Sequence, residues 1–336
     1  MSSSALPLGL DALVTALRAA GEDTRLRVLA LLAEGELNVS DLTDILGQSQ
    51  PRISRHLKLL VEADLVDRHR EGAWAFFRLN EHGPAGVLAR SLAARLDASD
   101  PVLLADRARL AAVRASRAEA AQAYFNRHAA DWDRIRSLHA PDAVVEAAIR
   151  DAVGGGPIRA LLDLGTGTGR ILSLLAPLAQ RVVGVDANHA MLAVARANLE
   201  AAGVRRAELR QGDIYALPVE RGAFDVVIVH QVLHYLDDPA RALREAAAAL
   251  APGGRIVVVD FSPHDLEFLR EQHAHRRLGF AREQVAGWLE DAGLAAGEHT
   301  LVSPPGGAQG QLTVSLWVGR DKRPAKTLRQ PDRETA

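Results

Sequence analysis

The 336-residue sequence contains no cysteine, two methionines and few aromatic residues (four Trp, three Tyr, seven Phe), and it uses almost no lysine. Without thiols, disulfides, thiolate-bound zinc and cysteine nucleophiles are excluded. No uninterrupted apolar stretch reaches the roughly 18 residues that a bilayer crossing requires, and no basic segment leads into an apolar run near the start. Such a chain is expected to be soluble and cytoplasmic, without a membrane partner. An excess of one charge is also missing. The 40 Lys and Arg against 42 Asp and Glu leave a net charge of -2, which excludes a wholly basic nucleic-acid coat but not a local basic face. The heavy use of arginine and alanine reads as genomic base bias. What is present in quantity is apolar side chain, 48% of the residues, enough at this length for two domains with a core each.

The first hundred residues read as short helices followed by a hairpin. Leu10, Leu13, Val14 and Leu17 recur at helical spacing and give a first helix one apolar stripe. Asp23 or Thr24 is placed to cap "RLRVLALLAEG", which stops at Gly35, and Ser40 to cap "DLTDIL", which stops at Gly47. After a three-residue turn Ser49 offers a cap and Pro51 falls in the first turn, where its missing N–H costs nothing. Ile53, Leu57 and Leu60 then form an inner stripe, while Arg52, Ser54, Arg55, His56 and Lys58 occupy the other face. Beyond them "LVDRHREGAWAFFRLN" alternates on either side of Glu71-Gly72, as a two-stranded wing does. A solvated amphipathic helix whose charges touch nothing is the plainer alternative; the preceding helix, the short turn and the basic wing, in that order, argue against it.

The helix Gln50 to Leu60 resembles the recognition helix of the ArsR/SmtB family of bacterial repressors, whose form is Q-x-x-[IV]-S-x-H-L-x-x-L and which reads here "QPRISRHLKLL". The resemblance implies a winged helix-turn-helix over residues 1–98, mostly α with a β-wing, that binds double-stranded operator DNA as a homodimer. Gln48, Gln50, Arg52, Ser54, Arg55, His56 and Lys58, with Arg68 and Arg70 of the wing, are the implied DNA-binding residues. Phosphate contacts would supply most of the affinity, and Gln50, Arg52, Ser54 and Arg55 would reach base edges. Metal-sensing relatives place Asp, His or Cys ligands on this helix or on the one after the wing. That later helix, "GPAGVLARSLAARLDAS", has no Cys, no His and one Asp, so no metal is expected. Its Val87, Leu88, Leu92 and Leu96 suit a dimer interface.

Residues 99–140 shift to Ala and Arg with few turn signals and read as a helical linker and lid. Within it Tyr124, Phe125 and Trp132 allow two readings, core packing or a lid over a bound cofactor.

From 141 to 320 the chain alternates strand and helix. "ALLDLG", "RVVGVD", "AELRQG", "FDVVIV" and "RIVVVD" are short apolar runs separated by helical segments, which implies parallel strands, and "EHTLVS" with "QLTVSLWVG" implies an antiparallel hairpin at the sheet edge. Residues 321–336 read as a disordered tail. Gly165, Gly167 and Gly169 follow the first strand and let the backbone approach a ligand. A dinucleotide fingerprint needs G-x-G-x-x-G, and its final position is here Arg170. The run "LDLGTGTGR" instead resembles motif I of class I S-adenosylmethionine-dependent methyltransferases, an α/β Rossmann-like fold. The resemblance continues through Asp186, 21 residues after Gly165, through Asp213-Ile214, "HQVLHYL" and "LAPGGRIVVVD". It implies a site for S-adenosylmethionine or S-adenosylhomocysteine built from Asp163, Gly165, Thr166, Gly167, Asp186, Ala187, Asp213, Ile214, His230 and Tyr124. Within it Asp186 takes the ribose hydroxyls and Asp213 the adenine amino group.

If the domain catalyses methyl transfer, His230, His234 and Tyr235, with Gln231, are the candidates for holding an acceptor or taking its proton; packing is the other reading. His264, His273 and His275, with Glu267 and Glu271, could bind a metal or an anion, against a plainer reading as helix-surface and salt-bridge residues. Arsenite methylation, which in known families uses thiolates, is disfavoured by the missing cysteine. The two halves together resemble ArsR regulators with a methyltransferase-like domain, among them S-adenosylhomocysteine-responsive repressors. That resemblance implies a repressor whose second domain senses the S-adenosyl ligand and controls methionine-cycle genes. The alternative is an active small-molecule methyltransferase with an autoregulatory DNA-binding domain.

Overall fold

The computed structural model describes residues 7–71, 74–80, 83–129, 142–156, 158–204, 207–303 and 312–324. The chain forms two compact units that divide between Ala121 and Gln122.

In the first unit the helices are α1 (Leu10–Ala20), α2 (Asp23–Ala33), α3 (Val39–Leu46), α4 (Gln50–Glu62) and α5 (Gly83–Arg95), followed by the start of α6 (Pro101–His128). The strands β1 (Leu37–Asn38), β2 (Val66–Glu71) and β3 (Trp74–Leu79) form an antiparallel sheet in the order β1-β3-β2. Val66 pairs with Leu79 and Glu71 with Trp74, so the wing is a tight ribbon. The core lies under α4, whose Ile53, Leu57 and Leu60 are buried against Val28, Leu29, Leu42, Ile45 and Phe77. Helix starts depart from expectation. Glu22, not Asp23 or Thr24, caps α2 by accepting the backbone N–H of Arg25 at 3.0 Å. Asn38, not Ser40, caps α3 through a reciprocal capping box with Asp41. Ser49 precedes α4 without a side-chain cap bond. The α1 stripe also differs, since only Ala16 and Ala20 are buried on this helix while Leu10 is 78% and Leu17 46% exposed.

The segment expected to be a linker from residue 99 belongs in part to this unit, for Leu110 joins its core. Asp106, fully buried, accepts the two guanidinium arms of Arg27 at 2.7 Å each and Arg109 at 2.8 Å. Asp41, buried as deeply, pairs with Arg117.

The second unit holds α7 (Asp142–Val153), β4 (Ile158–Leu164), α8 (Arg170–Leu175), β5 (Ala179–Asp186), α9 (His189–Ala201), β6 (Ala207–Gln211), β7 (Phe224–His230), α10 (Pro239–Ala249), β8 (Leu250–Phe261), α11 (Phe268–His273), α12 (Arg282–Asp291), β9 (Leu294–Val302) and β10 (Val314–Asp321). The seven strands run in the order β6-β5-β4-β7-β8-β10-β9. The five strands from β6 to β8 are parallel, and β10 pairs antiparallel with both β8 and β9. Strand residues alternate between two cores. Leu161, Val182, Val226 and Ile228 pack on one face; Leu162, Leu164, Val183, Val185, Val227 and Val229 pack on the other. Covering both faces is what makes these strands read as unbroken apolar runs. From β4 the chain winds through β5 and β6 to one edge and then returns to β7 on the other side, so the crevice for a ligand opens beyond the carboxyl ends of β4 and β7. Among the described residues no helix is long and apolar enough to cross a membrane. Of the expected tail, residues 325–336 lie outside the described ones.

Removing the Asp106 carboxylate strands two partly exposed guanidinium groups against an apolar interior. Asp106→Ala should therefore destabilise the first unit by about 1 to 3 kcal/mol, read as an earlier unfolding transition in denaturant titrations. An unchanged midpoint would show that the buried acid is neutral to stability.

Candidate functional site

On the first unit, α4 presents Gln50, Arg52, Ser54, Arg55 and Lys58 to solvent on one face, opposite its buried stripe, and Arg68 of β2 is also exposed. Two of the nine residues expected on that surface are engaged elsewhere. The Gln48 amide donates to Thr24 Oγ1 at 3.2 Å, and His56 Nδ1 lies 3.6 Å from Glu22 Oε2. Both tie the turn and α4 to the start of α2. Burial holds the His56 imidazole below its ordinary pKa, against the pull of Glu22. The Arg70 side chain lies outside the described residues.

On the second unit, the turn after β4 carries three left-handed glycines, with φ of 68° at Gly165, 53° at Gly167 and 79° at Gly169. A Cβ on Gly165 would stand 2.4 Å from Val232 Cγ2, which fixes how closely this loop passes the one after β7. Inside the loop Thr166 Oγ1 donates to Asp163 Oδ2 at 2.6 Å, both groups being buried. At the end of β5, Asp186 Oδ2 accepts the Gly167 N–H and Oδ1 the Asn188 N–H, each at 2.8 Å. Burial holds the Asp186 carboxyl above its ordinary value, and the two N–H donors offset only part of that rise. Ala187 is exposed beside it. After β6, Asp213 is exposed and Ile214 packs against the sheet. These residues share the carboxyl edge of β4, β5 and β6. A left-handed glycine turn at the strand end, a carboxylate with free lone pairs beside it and a further exposed acid form a set of hydrogen-bond acceptors that fits a ribose-bearing S-adenosyl ligand.

The last turns of α6 lie along the same edge. Asn188 Nδ2 donates to Gln122 Oε1 at 2.7 Å and to Asn126 Oδ1 at 2.8 Å. Tyr124 is buried, its hydroxyl 2.8 Å from His273 Nδ1, and Phe125 meets Tyr235 edge-on at 4.9 Å between ring centroids. Trp132 lies outside the described residues. Past β7, Gln231 is buried with a left-handed φ of 54°, and its N–H donates to Val259 O at 2.7 Å. His230 ends β7 opposite Val259 of β8. The next turn buries His234, whose Nδ1 lies 2.7 Å from Asp260 Oδ1 at the end of β8. Burial sends the neighbouring Tyr235 hydroxyl well above its ordinary pKa.

The histidines expected on a helix surface are packed into this ring cluster instead. His275 is buried with its ring 4.1 Å from that of His234, His264 meets Phe261 edge-on, and burial holds His273 below its ordinary value. Among the described residues no group of three or more His, Cys, Asp or Glu side chains is arranged to hold a metal ion. Sequence reasoning missed Asn188, Gln122, Asn126 and Asp260. The signal for Asp260 was available, since it closes "RIVVVD" just as Asp186 closes "RVVGVD".

These surfaces define a winged-helix DNA-binding unit followed by a class I methyltransferase fold. Residues 22–68 match the model of the bacterial regulatory protein, arsR family, and residues 162–258 that of a methyltransferase domain. The arsenic resistance transcriptional regulator of Pseudomonas putida is 45% identical over 91 residues, which are 27% of this chain and 70% of that protein. The chain therefore belongs to the arsR family of bacterial regulatory proteins and carries a methyltransferase domain as well. The demethylmenaquinone methyltransferase of Thermus thermophilus is 43% identical over 106 residues, 31% of this chain and 47% of that enzyme. The chain spans about half the length of several curated relatives it matches. Among solved structures, the N-methyltransferase NodS of Bradyrhizobium japonicum in complex with S-adenosylhomocysteine aligns with a TM-score of 0.50 at 20% identity, over 60% of this chain and 99% of that one.

Burial raises the Asp163 carboxyl to about 7, well above the roughly 3.9 of an unfolded chain. Over that interval the native state keeps a proton that the unfolded state has lost, so the group's contribution to stability declines as pH rises from about 4 to about 7. Asp163→Asn removes the effect. Thermal melts across the interval should show the variant gaining on the parent protein as pH rises; parallel curves would reject the assignment.

Proposed function

We propose that the protein is a transcriptional repressor that binds operator DNA as a homodimer through its arsR-type unit and takes S-adenosylmethionine or S-adenosylhomocysteine as effector in its methyltransferase domain. The observation that carries the reading is Asp186. One of its oxygens holds the Gly167 N–H of the ligand loop and the other the Asn188 N–H at the start of α9, and both keep lone pairs for the paired hydroxyls of a ribose. A domain that accepts both the sulfonium and its demethylated product reads the methylation state of the cell, and its attachment to a DNA-binding unit turns that reading into gene control. The likeness to S-adenosylhomocysteine-responsive repressors extends the proposal to methionine-cycle genes as targets. The exposed apolar residues Leu10 and Leu17 of α1 and Val87 of α5 supply a surface for a second copy. Two recognition helices would then enter successive major grooves, with half-sites about 10 bp apart or a multiple of that.

Coupling requires that the ligand bind the DNA-competent and DNA-incompetent arrangements unequally. The two ligands differ by one methyl group and one positive charge at sulfur, and Gln231, His230 and Tyr124 are the side chains we assign to that discrimination. Anisotropy titrations of an operator duplex with each ligand saturating should give affinities about 5- to 150-fold apart, and operator DNA must shift ligand affinity by the same factor. Equal DNA affinity with either ligand and with none would overturn the sensor reading.

Two substitutions separate the units. Asp186→Ala should weaken S-adenosyl ligand binding by about 2 to 4 kcal/mol in calorimetry. Arg55→Ala should weaken specific operator binding and leave ligand affinity as it was. Normal ligand binding by the first, or normal operator binding by the second, removes the corresponding assignment.

A further inference from the structure

The Nε2 atom of His234 is a buried nitrogen that makes no hydrogen bond among the described residues. Unmet polar groups at such depth are rare in native folds and call for an explanation. The other side of the ring is fully organised. Asp260 Oδ1 accepts the backbone N–H of Phe261 at 2.8 Å and faces His234 Nδ1 at 2.7 Å, and the backbone N–H of His234 reaches Oδ2 at 3.4 Å. A carboxylate in that position is an acceptor, so Nδ1 carries the hydrogen and Nε2 carries the lone pair. The backbone of the same turn is also pinned, because the N–H groups of Arg276 and Arg277 donate to His234 O at 2.8 and 3.1 Å. The ring thus has one tautomer and one orientation, with its basic nitrogen left over.

The dyad stands at the carboxyl ends of β7 and β8, one turn beyond Val232, the residue that touches the Gly165 loop. Its surroundings are rings. His275 lies 4.1 Å from His234 at an interplanar angle of 31°, Tyr235 at 4.1 Å and Phe261 at 5.0 Å, and Phe125 of α6 closes over Tyr235. Among the described residues the two carboxylates beside this turn are already engaged, Asp260 by His234 and Phe261 and Asp237 by Arg276. Among the described residues the side chains that titrate or carry charge beside the imidazole are Asp260 from β8, Tyr235 from its own turn and His275, with Arg276 and Arg277 next in sequence.

We propose that His234, oriented by Asp260, is the general base of a methyl-acceptor site for a planar aromatic hydroxyl compound. The proposal rests on the S-adenosyl reading above and adds a reaction to it. His234 Nε2 takes the proton of the phenolic hydroxyl while the oxygen's electron pair bonds to the methyl carbon. The carbon–sulfur bond breaks and its electrons stay on sulfur, so the sulfonium charge is exchanged for an imidazolium charge that Asp260 stabilises. A base is required for this acceptor class because a phenol must lose its proton to become a strong nucleophile. Asp260 touches no substrate and acts as a positioning residue.

The experiment uses the full chain with saturating S-adenosylhomocysteine and para-nitrophenol as probe, whose phenolate absorbs in the visible. At a pH below the probe's own pKa, the parent protein should bind it saturably and show the phenolate band. His234→Gln should lose the band. Asp260→Asn should keep binding but move the ionisation midpoint of the bound probe up by about one to three pH units, an effect that packing alone would not produce. Calorimetry with S-adenosylhomocysteine on all three proteins verifies that the variants are folded and tests the ligand reading by itself. S-adenosylhomocysteine binding without any phenolate band in the parent, or an unchanged band in His234→Gln, overturns the base assignment. A phenolate band that depends on His234 without S-adenosylhomocysteine binding overturns the ligand reading and leaves the base standing.

Discussion

The second unit depends on one arrangement, a carboxylate at the end of a parallel strand holding the backbone of two loops. Asp186 takes an N–H from the glycine turn after β4 and another from the start of α9. Parallel strands all finish at one edge, where their last carbonyls and side chains have no partners within the sheet. Something must organise that edge, and here acids do it, Asp186 on β5 and Asp260 on β8. Each sits in an apolar surround that makes an unpaired carboxylate costly, so each gathers hydrogen-bond donors. The donors gathered are the loops that would face a ligand. Fold stability and site geometry are in this way one requirement.

Most of the architecture was legible because period and punctuation survive in a single sequence. The apolar runs between Ala160 and Asp260 mark strands buried on two faces, and the inner stripe of Ile53, Leu57 and Leu60 marks α4, where all three are buried. What escaped was decided by contacts distant in sequence. The choice of Glu22 over Asp23 as a cap follows from which carboxylate the turn aims at Arg25 N–H, a matter of φ and ψ. Gln48 and His56 look like their neighbours Gln50 and Arg55 and differ only because α2 stands beside them. His264, His273 and His275 read as surface residues because one helix looks amphipathic by itself; the rings of Phe261, Tyr124 and His234 that receive them arrive from three other segments.

The buried ion pairs of the first unit follow another logic. Asp41 and Asp106 are both deeply buried, and both are met by arginines, Arg117 and Arg27 respectively. Buried pairs add little net stability, but they penalise every packing in which the partners miss each other. They therefore fix the register of α6 against α2 and α3 more sharply than interchangeable Ala and Leu contacts could. In a chain built so largely from alanine and leucine, charge supplies the specificity that side-chain shape does not.

Gln231 carries a consequence of a different kind. A non-glycine residue held at a left-handed φ of 54° costs of the order of 1 kcal/mol or more relative to glycine. Glycine at position 231 would relieve that strain, because the backbone there is already shaped for it, and would set the relief against the loss of a buried side chain. A glutamine that persists under selection for function but is discarded under selection for stability would measure, in one substitution, the strain this protein tolerates to keep a buried amide just past the end of β7.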